Sequence, residues 1–236
     1  MMYSFQSRVR YSEIDPNRRL DLAGIINYFQ DCTTFQSEDI GLGIDYLNGT
    51  NRVWIITNWQ IVVTRFPKLN EKIIVSTWPY DFKSMFGYRN FKMETEDGEL
   101  LAVANSIWVL MDTIRMRPSK LTEEELEKYQ LEEKYPMEKA PRKISIPQEY
   151  TVHDSFLVTK SNLDTNNHVN NGQYIKMATD YLPEDFEIKE MRAEYKKSAV
   201  LSDTIIPKVT IEDNKCTVVL AGIDDYPYCV VIFIKK

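Results

Sequence analysis

Residues 9–20 read Val-Arg-Tyr-Ser-Glu-Ile-Asp-Pro-Asn-Arg-Arg-Leu, and residues 158–169 read Val-Thr-Lys-Ser-Asn-Leu-Asp-Thr-Asn-Asn-His-Val. Val9, Ser12, Asp15 and Asn17 match Val158, Ser161, Asp164 and Asn166 without a gap. Each copy is followed by a helical pattern and then by a run of strand-like segments, so the chain reads as one unit used twice. The copies differ where chemistry is concerned. His168 stands where the first copy has Arg19. An imidazole titrates near neutral pH and a guanidinium does not, which suggests that one half reacts while the other binds or scaffolds.

Asp164, Asn166 and His168 fall at alternate positions. In an extended segment they would leave the same face and bring a carboxylate, an amide and an imidazole to one spot. Val169, Tyr174, Ile175, Met177 and Ala178 then follow with helical spacing. A helix start offers free N–H groups and a partial positive charge. Together these suit a hydrolytic centre, with backbone N–H groups near residues 169–172 as oxyanion donors. Asn and Asp are also turn and cap formers, so the loop alone does not make a site. His153, in a strand-like stretch outside the motif, reads as surface or structural.

The 236 residues fit one large domain or two ordinary ones. A hydrophobic content of 43%, with 12% aromatic residues, supports a real core. No run of 18 apolar residues is present, so no membrane span is expected. No signal-peptide pattern is seen at the N-terminus. Cys32, Cys216 and Cys229 are odd in number and scattered, which suggests buried thiols in a reducing compartment and no metal site. The net charge of −6 argues against nucleic acid as a partner. Much of the negative charge is local, because residues 123–134 hold six Glu against two Lys. Basic residues gather at Arg18-Arg19, at Arg115, Arg117 and Lys120, and at Lys196-Lys197.

Residues 3–12 read as a strand. Asp21 caps a helix whose Leu22, Ile25, Ile26, Phe29 and Cys32 recur at three- and four-residue steps, and Gly41 and Gly43 end it. Strands are expected at 52–66, 71–82, 86–96 and 100–112, with an Asp97-Gly98 hairpin turn. Thr122 and Glu125 form a capping box before a charged helix to about Lys134. Prolines 136, 141 and 147 mark a connector. The second unit repeats the order, with a strand at 149–158, the motif, a shorter helix to about 181, and strands near 188–199, 203–212, 215–223 and 227–235.

Asp164-Thr-Asn-Asn-His-Val-Asn-Asn171 resembles the active-site motif of the acyl-acyl carrier protein (acyl-ACP) thioesterases. Trp108-Val-Leu-Met-Asp-Thr-Ile-Arg-Met-Arg-Pro-Ser-Lys-Leu121 and Glu194-Tyr-Lys-Lys197 look like two further segments of that family, in the family's order. The resemblance covers almost the whole chain. It implies an α+β fold, a tandem (double) hotdog of two antiparallel sheets, each wrapped around a long central helix. The expected division is an N-terminal hotdog domain for the acyl chain (1–125), a linker (126–148) and a catalytic C-terminal hotdog domain (149–236). Plant members carry a transit peptide; none is visible here, so a cytoplasmic, bacterial member is expected.

The activity implied is hydrolysis of a fatty acyl thioester by water activated at Asp164, Asn166 and His168, with no cofactor and no metal. Either Asp164 or His168 can be the base. Ile25, Ile26, Phe29, Trp54, Ile56 and Trp59 are the candidates for an acyl slot. The implied partner is an acyl carrier protein bearing an acyl-phosphopantetheine, with Arg115, Arg117, Lys196 and Lys197 as docking candidates; a homodimer is compatible with the sequence. One departure is clear. Plant members show Glu and Cys where this chain has Ser198 and Ala199, so a Cys–His mechanism is not open at that position. An acyl-coenzyme A thioesterase of the same fold and a non-catalytic acyl-binding protein are the alternatives.

Overall fold

A computed structural model describes residues 2–236. The chain forms two compact units, Met1–Thr57 with Val63–Glu138 and Asn58–Val62 with Lys139–Lys236.

The first unit holds β1 (Tyr3–Arg8), α1 (Leu22–Asp39), α2 (Ile44–Gly49), the first half of β2 (Arg52–Val63), β3 (Lys72–Lys83), β4 (Phe86–Thr95), β5 (Leu100–Asp112), β6 (Arg117–Pro118) and α3 (Glu123–Lys128). Its strands lie in the order β1-β3-β4-β5-β2, with β6 on β5. The helix start follows from the sequence: Asp21 Oδ1 accepts the Gly24 N–H at 2.6 Å. A Cβ on Gly24 would sit 2.5 Å from Leu20 Cδ1, so a larger residue there would have to push the buried Leu20 side chain aside. Ile25, Ile26, Phe29 and Cys32 are fully buried, and Phe29 meets Phe91 of β4 with ring centroids 5.0 Å apart. Each such side chain contributes about 1.5–3 kcal/mol on burial, so the apolar stripe fixes α1 on the sheet. The chain then leaves the helix through Gly41, at φ 70°.

The second unit holds β7 (Thr151–Val152), β8 (Phe156–Leu157), α4 (Asn171–Thr179), β9 (Ile188–Tyr195), β10 (Thr204–Glu212), β11 (Lys215–Ala221) and β12 (Pro227–Lys235). With residues 58–62 of β2 they lie in the order β2-β9-β12-β11-β10-β7, and β8 joins β10. The ladders are antiparallel. Buried Val218, Leu220, Val230, Val231 and Phe233 form its apolar centre.

Three expectations change. The charged helix ends at Lys128, six residues early. Beyond it the chain is held extended on the sheet: Glu132 N–H donates to Pro79 O, Trp78 Nε1 to Glu133 O at 2.9 Å, and Tyr135 N–H to Asn90 Oδ1 at 3.0 Å. Those bonds outweigh a weak helical tendency. The strand expected at 149–158 is reduced to the stubs β7 and β8. The helix after the second motif has only nine residues.

Candidate active site

The two motif copies fold into the same turn, with matching backbone bonds. Asp15 N–H donates to Arg19 O at 2.8 Å, and Asp164 N–H to His168 O at 2.8 Å. Arg18 N–H reaches Asp15 O at 2.9 Å, and Asn167 N–H reaches Asp164 O at 3.1 Å. Arg18 and Asn167 both turn through the left-handed region, at φ 60° and 59°. Upstream, Arg10 N–H is held by Glu13 Oε2 at 3.0 Å and Thr159 N–H by Asn162 Oδ1 at 2.8 Å. Downstream, Leu20 N–H donates to Pro67 O at 2.8 Å and Val169 N–H to Ala199 O at 2.9 Å. The sequence repeat is therefore a structural repeat.

This corrects the expectation of an extended segment. Residues 164–168 form a turn because the Asp164 carboxylate pulls the backbone around itself. Its Oδ1 accepts the N–H groups of Asn166 at 2.8 Å and His168 at 3.2 Å. Asp15 Oδ1 does the same for Arg19 N–H at 2.9 Å. The two aspartates thus share a structural task, and what differs is the side chain presented four residues later. Asn166 and His168 are exposed, and Asp164 is half-buried. His168 pairs through an isolated antiparallel bridge with Val200, and both Val200 and Leu201 are exposed apolar residues. The imidazole therefore stands on a pinned turn beside an apolar rim.

The oxyanion donors are also narrowed. Val169 N–H is taken by Ala199 O, Asn170 N–H by Asn162 O, and Gly172 N–H by its N-cap Asn170 Oδ1 at 2.8 Å. Among the described residues, the Asn171 N–H is left as the donor without an intramolecular acceptor.

Two tyrosines, not foreseen from sequence, lock this turn to the sheet. Tyr195 of β9 donates its hydroxyl to Asn171 O at 3.0 Å, in the first turn of α4. The Tyr174 hydroxyl accepts the Ala199 N–H at 2.8 Å. Burial pushes both phenols above their ordinary pKa. Ala199 is fully buried, with its N–H held by Tyr174 and its carbonyl by Val169. It is a clamp on the motif turn, while Ser198 is exposed. The pattern gave one clue: Tyr174 lies on the apolar stripe of α4, but the partner of its hydroxyl is not written in the sequence.

All three cysteines are free and buried. Burial pushes Cys32 up to about 12 and Cys216 up to about 11, and drives Cys229 well above the usual thiol range. None is a ready nucleophile. Among the described residues no group of His, Cys, Asp and Glu could hold a metal ion.

The acyl-slot candidates Ile25, Ile26, Phe29 and Ile56 are buried in the first unit, and Trp54 is half-buried there. Trp59 is buried too, but it lies in the stretch of β2 that belongs to the second unit. The four docking candidates are not equivalent. Lys196 is largely sheltered and paired to Glu194 at 2.9 Å. Lys197 is half-exposed, 3.4 Å from Asp224 and over the ring of Tyr228. Arg115 and Arg117 are exposed on the β5–β6 turn, beside exposed Ile114 and Met116.

The profile of the acyl-ACP thioesterase N-terminal domain matches residues 1–129, and that of the C-terminal domain matches residues 145–221. A chloroplastic palmitoyl-acyl carrier protein thioesterase of Arabidopsis thaliana is 27% identical over 219 residues, covering 86% of this chain and 53% of that protein. A chloroplastic dodecanoyl-[acyl-carrier-protein] hydrolase of Cinnamomum camphora is 22% identical, covering 86% of this chain and 57% of that protein. The chain thus spans about half the length of the curated relatives it matches. An acyl-ACP thioesterase structure from Bacteroides thetaiotaomicron superposes with a TM-score of 0.90 at 23% identity, over 100% of this chain and 98% of the other. The 12:0-ACP thioesterase of Umbellularia californica gives 0.85 at 18% identity, over 100% and 97%. With both domain profiles matched in order, and the motif turn built twice, the chain belongs to the acyl-ACP thioesterase family.

Proposed function

We propose that the chain hydrolyses the thioester of a fatty acyl group carried on acyl carrier protein, releasing free fatty acid and the carrier thiol. The carrying observation is His168: an exposed imidazole on a pinned turn, at the position where the first copy presents Arg19. His168 takes a proton from water as the water oxygen attacks the carbonyl carbon. The oxyanion forms toward the Asn171 N–H and the partial positive charge of the α4 start. The carbon–sulfur bond then breaks, and the proton held by His168 goes to the departing thiolate. Asn166 holds the water or the thioester oxygen. Asp164 acts through the backbone, fixing the turn that presents both. Direct water attack suits a chain whose cysteines are buried and protonated.

In this reading each unit is a hotdog domain, a sheet curled around its helix. The first holds the acyl chain along Ile25, Ile26, Phe29, Trp54 and Ile56, and the second does the chemistry, with residues 126–148 as the connector. Three free, buried thiols suit a reducing, cytoplasmic setting. No helix among the described residues is long and apolar enough to cross a membrane. A thiol-release assay with matched acyl-carrier and acyl-coenzyme A substrates tests the proposal. Faster release from the carrier supports it. Release only from coenzyme A moves the chain to the alternative substrate class, and release from neither makes it an acyl-binding protein.

A further inference from the structure

Arg89 is a charged residue enclosed in the first unit, on the face of β4 that packs against α1. It is 6% exposed. Its neighbour two residues on, Phe91, packs against Phe29 of α1, so the guanidinium stands on the same sheet face as the proposed acyl slot. Its Nη1 donates to Gln36 Oε1 of α1 and to Thr77 Oγ1 of β3, the latter at 3.2 Å. The Thr77 hydroxyl passes its own proton to Asn90 O at 3.0 Å, so Thr77 meets Arg89 as an acceptor. Both Nη1 hydrogens are thereby used, and both on neutral groups. No carboxylate pairs with Arg89 among the described residues.

What remains is the Nε–Nη2 edge, which has no hydrogen-bond partner among the described residues. Arg89 keeps only 6% of its surface open, and it contributes none of the sealed, unpartnered polar atoms among the described residues. The Nε–H and Nη2–H pair is the fork that holds a carboxylate through two parallel bonds. A buried cation without a counter-charge is several kcal/mol unfavourable. Purely apolar chains would give it nothing in return. We propose that Arg89 receives a carboxylate at the far end of the acyl chain, so that the slot selects ω-carboxyacyl thioesters, the monothioesters of linear dicarboxylic acids, over plain fatty acyl ones. This rests on the first unit being the acyl holder and refines the substrate class given above.

The test compares pairs of acyl-carrier substrates of equal chain length, one ending in methyl and one in carboxylate. A charge-assisted, bidentate contact predicts a kcat/KM preference of about 10–10²-fold for the carboxylate. Arg89→Met should reverse the preference while keeping the fold, since an apolar side chain of similar volume replaces an unpaired buried charge. Arg89→Lys keeps the charge and loses the fork, and should fall between the two. Wild-type preference for the methyl-ended substrate at every length overturns the proposal without any variant. Calorimetric titration with free linear dicarboxylates supplies a readout independent of turnover. Dicarboxylate binding that Arg89→Met abolishes supports the site even if no thioester is cleaved, in which case the thioesterase reading alone has failed. Absence of both binding and preference refutes the site.

Discussion

The Asp164 carboxylate accepts the backbone N–H of His168 at 3.2 Å, and Asp15 accepts that of Arg19 at 2.9 Å in the same turn of the first copy. One carboxylate geometry therefore serves two halves that present different side chains. A residue needed equally where His168 has no counterpart is a turn former first. Asp164→Asn keeps an acceptor oxygen and should retain activity within about 10-fold, whereas Asp164→Ala removes the turn's anchor. That loss should lower stability by about 1 kcal/mol, and Asp15→Ala should lower it similarly. Denaturant midpoints and kcat measured on the three variants decide the matter. A folded Asp164→Asn with a thousandfold lower kcat, on the order expected for loss of a general base, would make Asp164 the base.

His168 is exposed, so its removal should leave the fold unchanged. His168→Ala is expected to lower kcat by about 10²–10⁴-fold, the usual worth of a positioned base. Arg19→Ala, at the equivalent post of the first copy, should leave kcat within a few-fold. Full activity in His168→Ala with loss in Arg19→Ala would transfer the chemistry to the first unit.

The duplication was readable because the turn is local: Asp, Asn and a left-handed residue four positions before the next helix specify it by themselves. The long strands of both units were readable for the same reason, through alternating β-branched and aromatic residues. Alternating polar residues in the motif read as an extended segment, whereas the Asp164 carboxylate bends the chain back on itself. The locking tyrosines 174 and 195 bond to residues 25 and 24 positions away, and Arg89 finds Gln36 across 53. No spacing rule reaches such partners. The early end of the charged helix has the same origin, since backbone bonds to distant strands decide it.

A hydrogen-bonded carboxylate and buried thiols bear on opposite pH limits of stability. Burial alone would raise the Glu125 carboxyl. The hydrogen bonds from Arg52, Thr122 N–H and Tyr46 outweigh it and hold the group down at about 2. A depressed carboxyl stabilises the fold above its unfolded pKa of about 4.3, and that contribution fades as pH falls through about 2. The thiols act in the opposite direction. Cys32 and Cys216 stay neutral in the fold, so their contribution is full below an unfolded pKa of about 8.5 and is lost as pH rises through about 11–12. Melting temperature against pH should fall on both limbs. Glu125→Gln should remove the acid-side dependence and destabilise by about 3 kcal/mol, because Arg52 is left buried without its partner. An unchanged acid limb in that variant would assign it to other carboxylates.

The same thiol burial predicts that changing Cys32, Cys216 and Cys229 together to Ser or Ala preserves most of kcat in whatever fraction folds. Native protein near neutral pH should resist alkylation by iodoacetamide, and all three thiols should react after unfolding. An acyl group trapped on any of them during turnover would exclude direct water attack.

Carrier docking should rest on the β5–β6 turn. An acidic carrier meets a chain of net charge −6, so a local basic patch has to do the steering. Lys196 is sheltered and neutralised by Glu194, and Lys197 sits over Tyr228 beside Asp224. Arg115 and Arg117 stand exposed, and the nearest carboxylate recorded for Arg115, Asp112, is 3.8 Å away. Reversing both arginines to Glu should lower kcat/KM on acyl-carrier substrate by about 10-fold or more and leave a small acyl thioester nearly unaffected, because exposed rim charges act mainly on association. Salt should mimic the substitution, since such contacts are screened over about 8–10 Å at ordinary ionic strength. Lys196→Glu is the contrasting variant: it sets two like charges together beside β9 and should lower stability more than carrier selectivity. The measurement is a salt series on both substrates with one acyl chain. Equal losses on the two would tie the arginines to folding or to the acyl slot. Loss with Lys196→Glu on the carrier substrate alone would move the docking surface to β9.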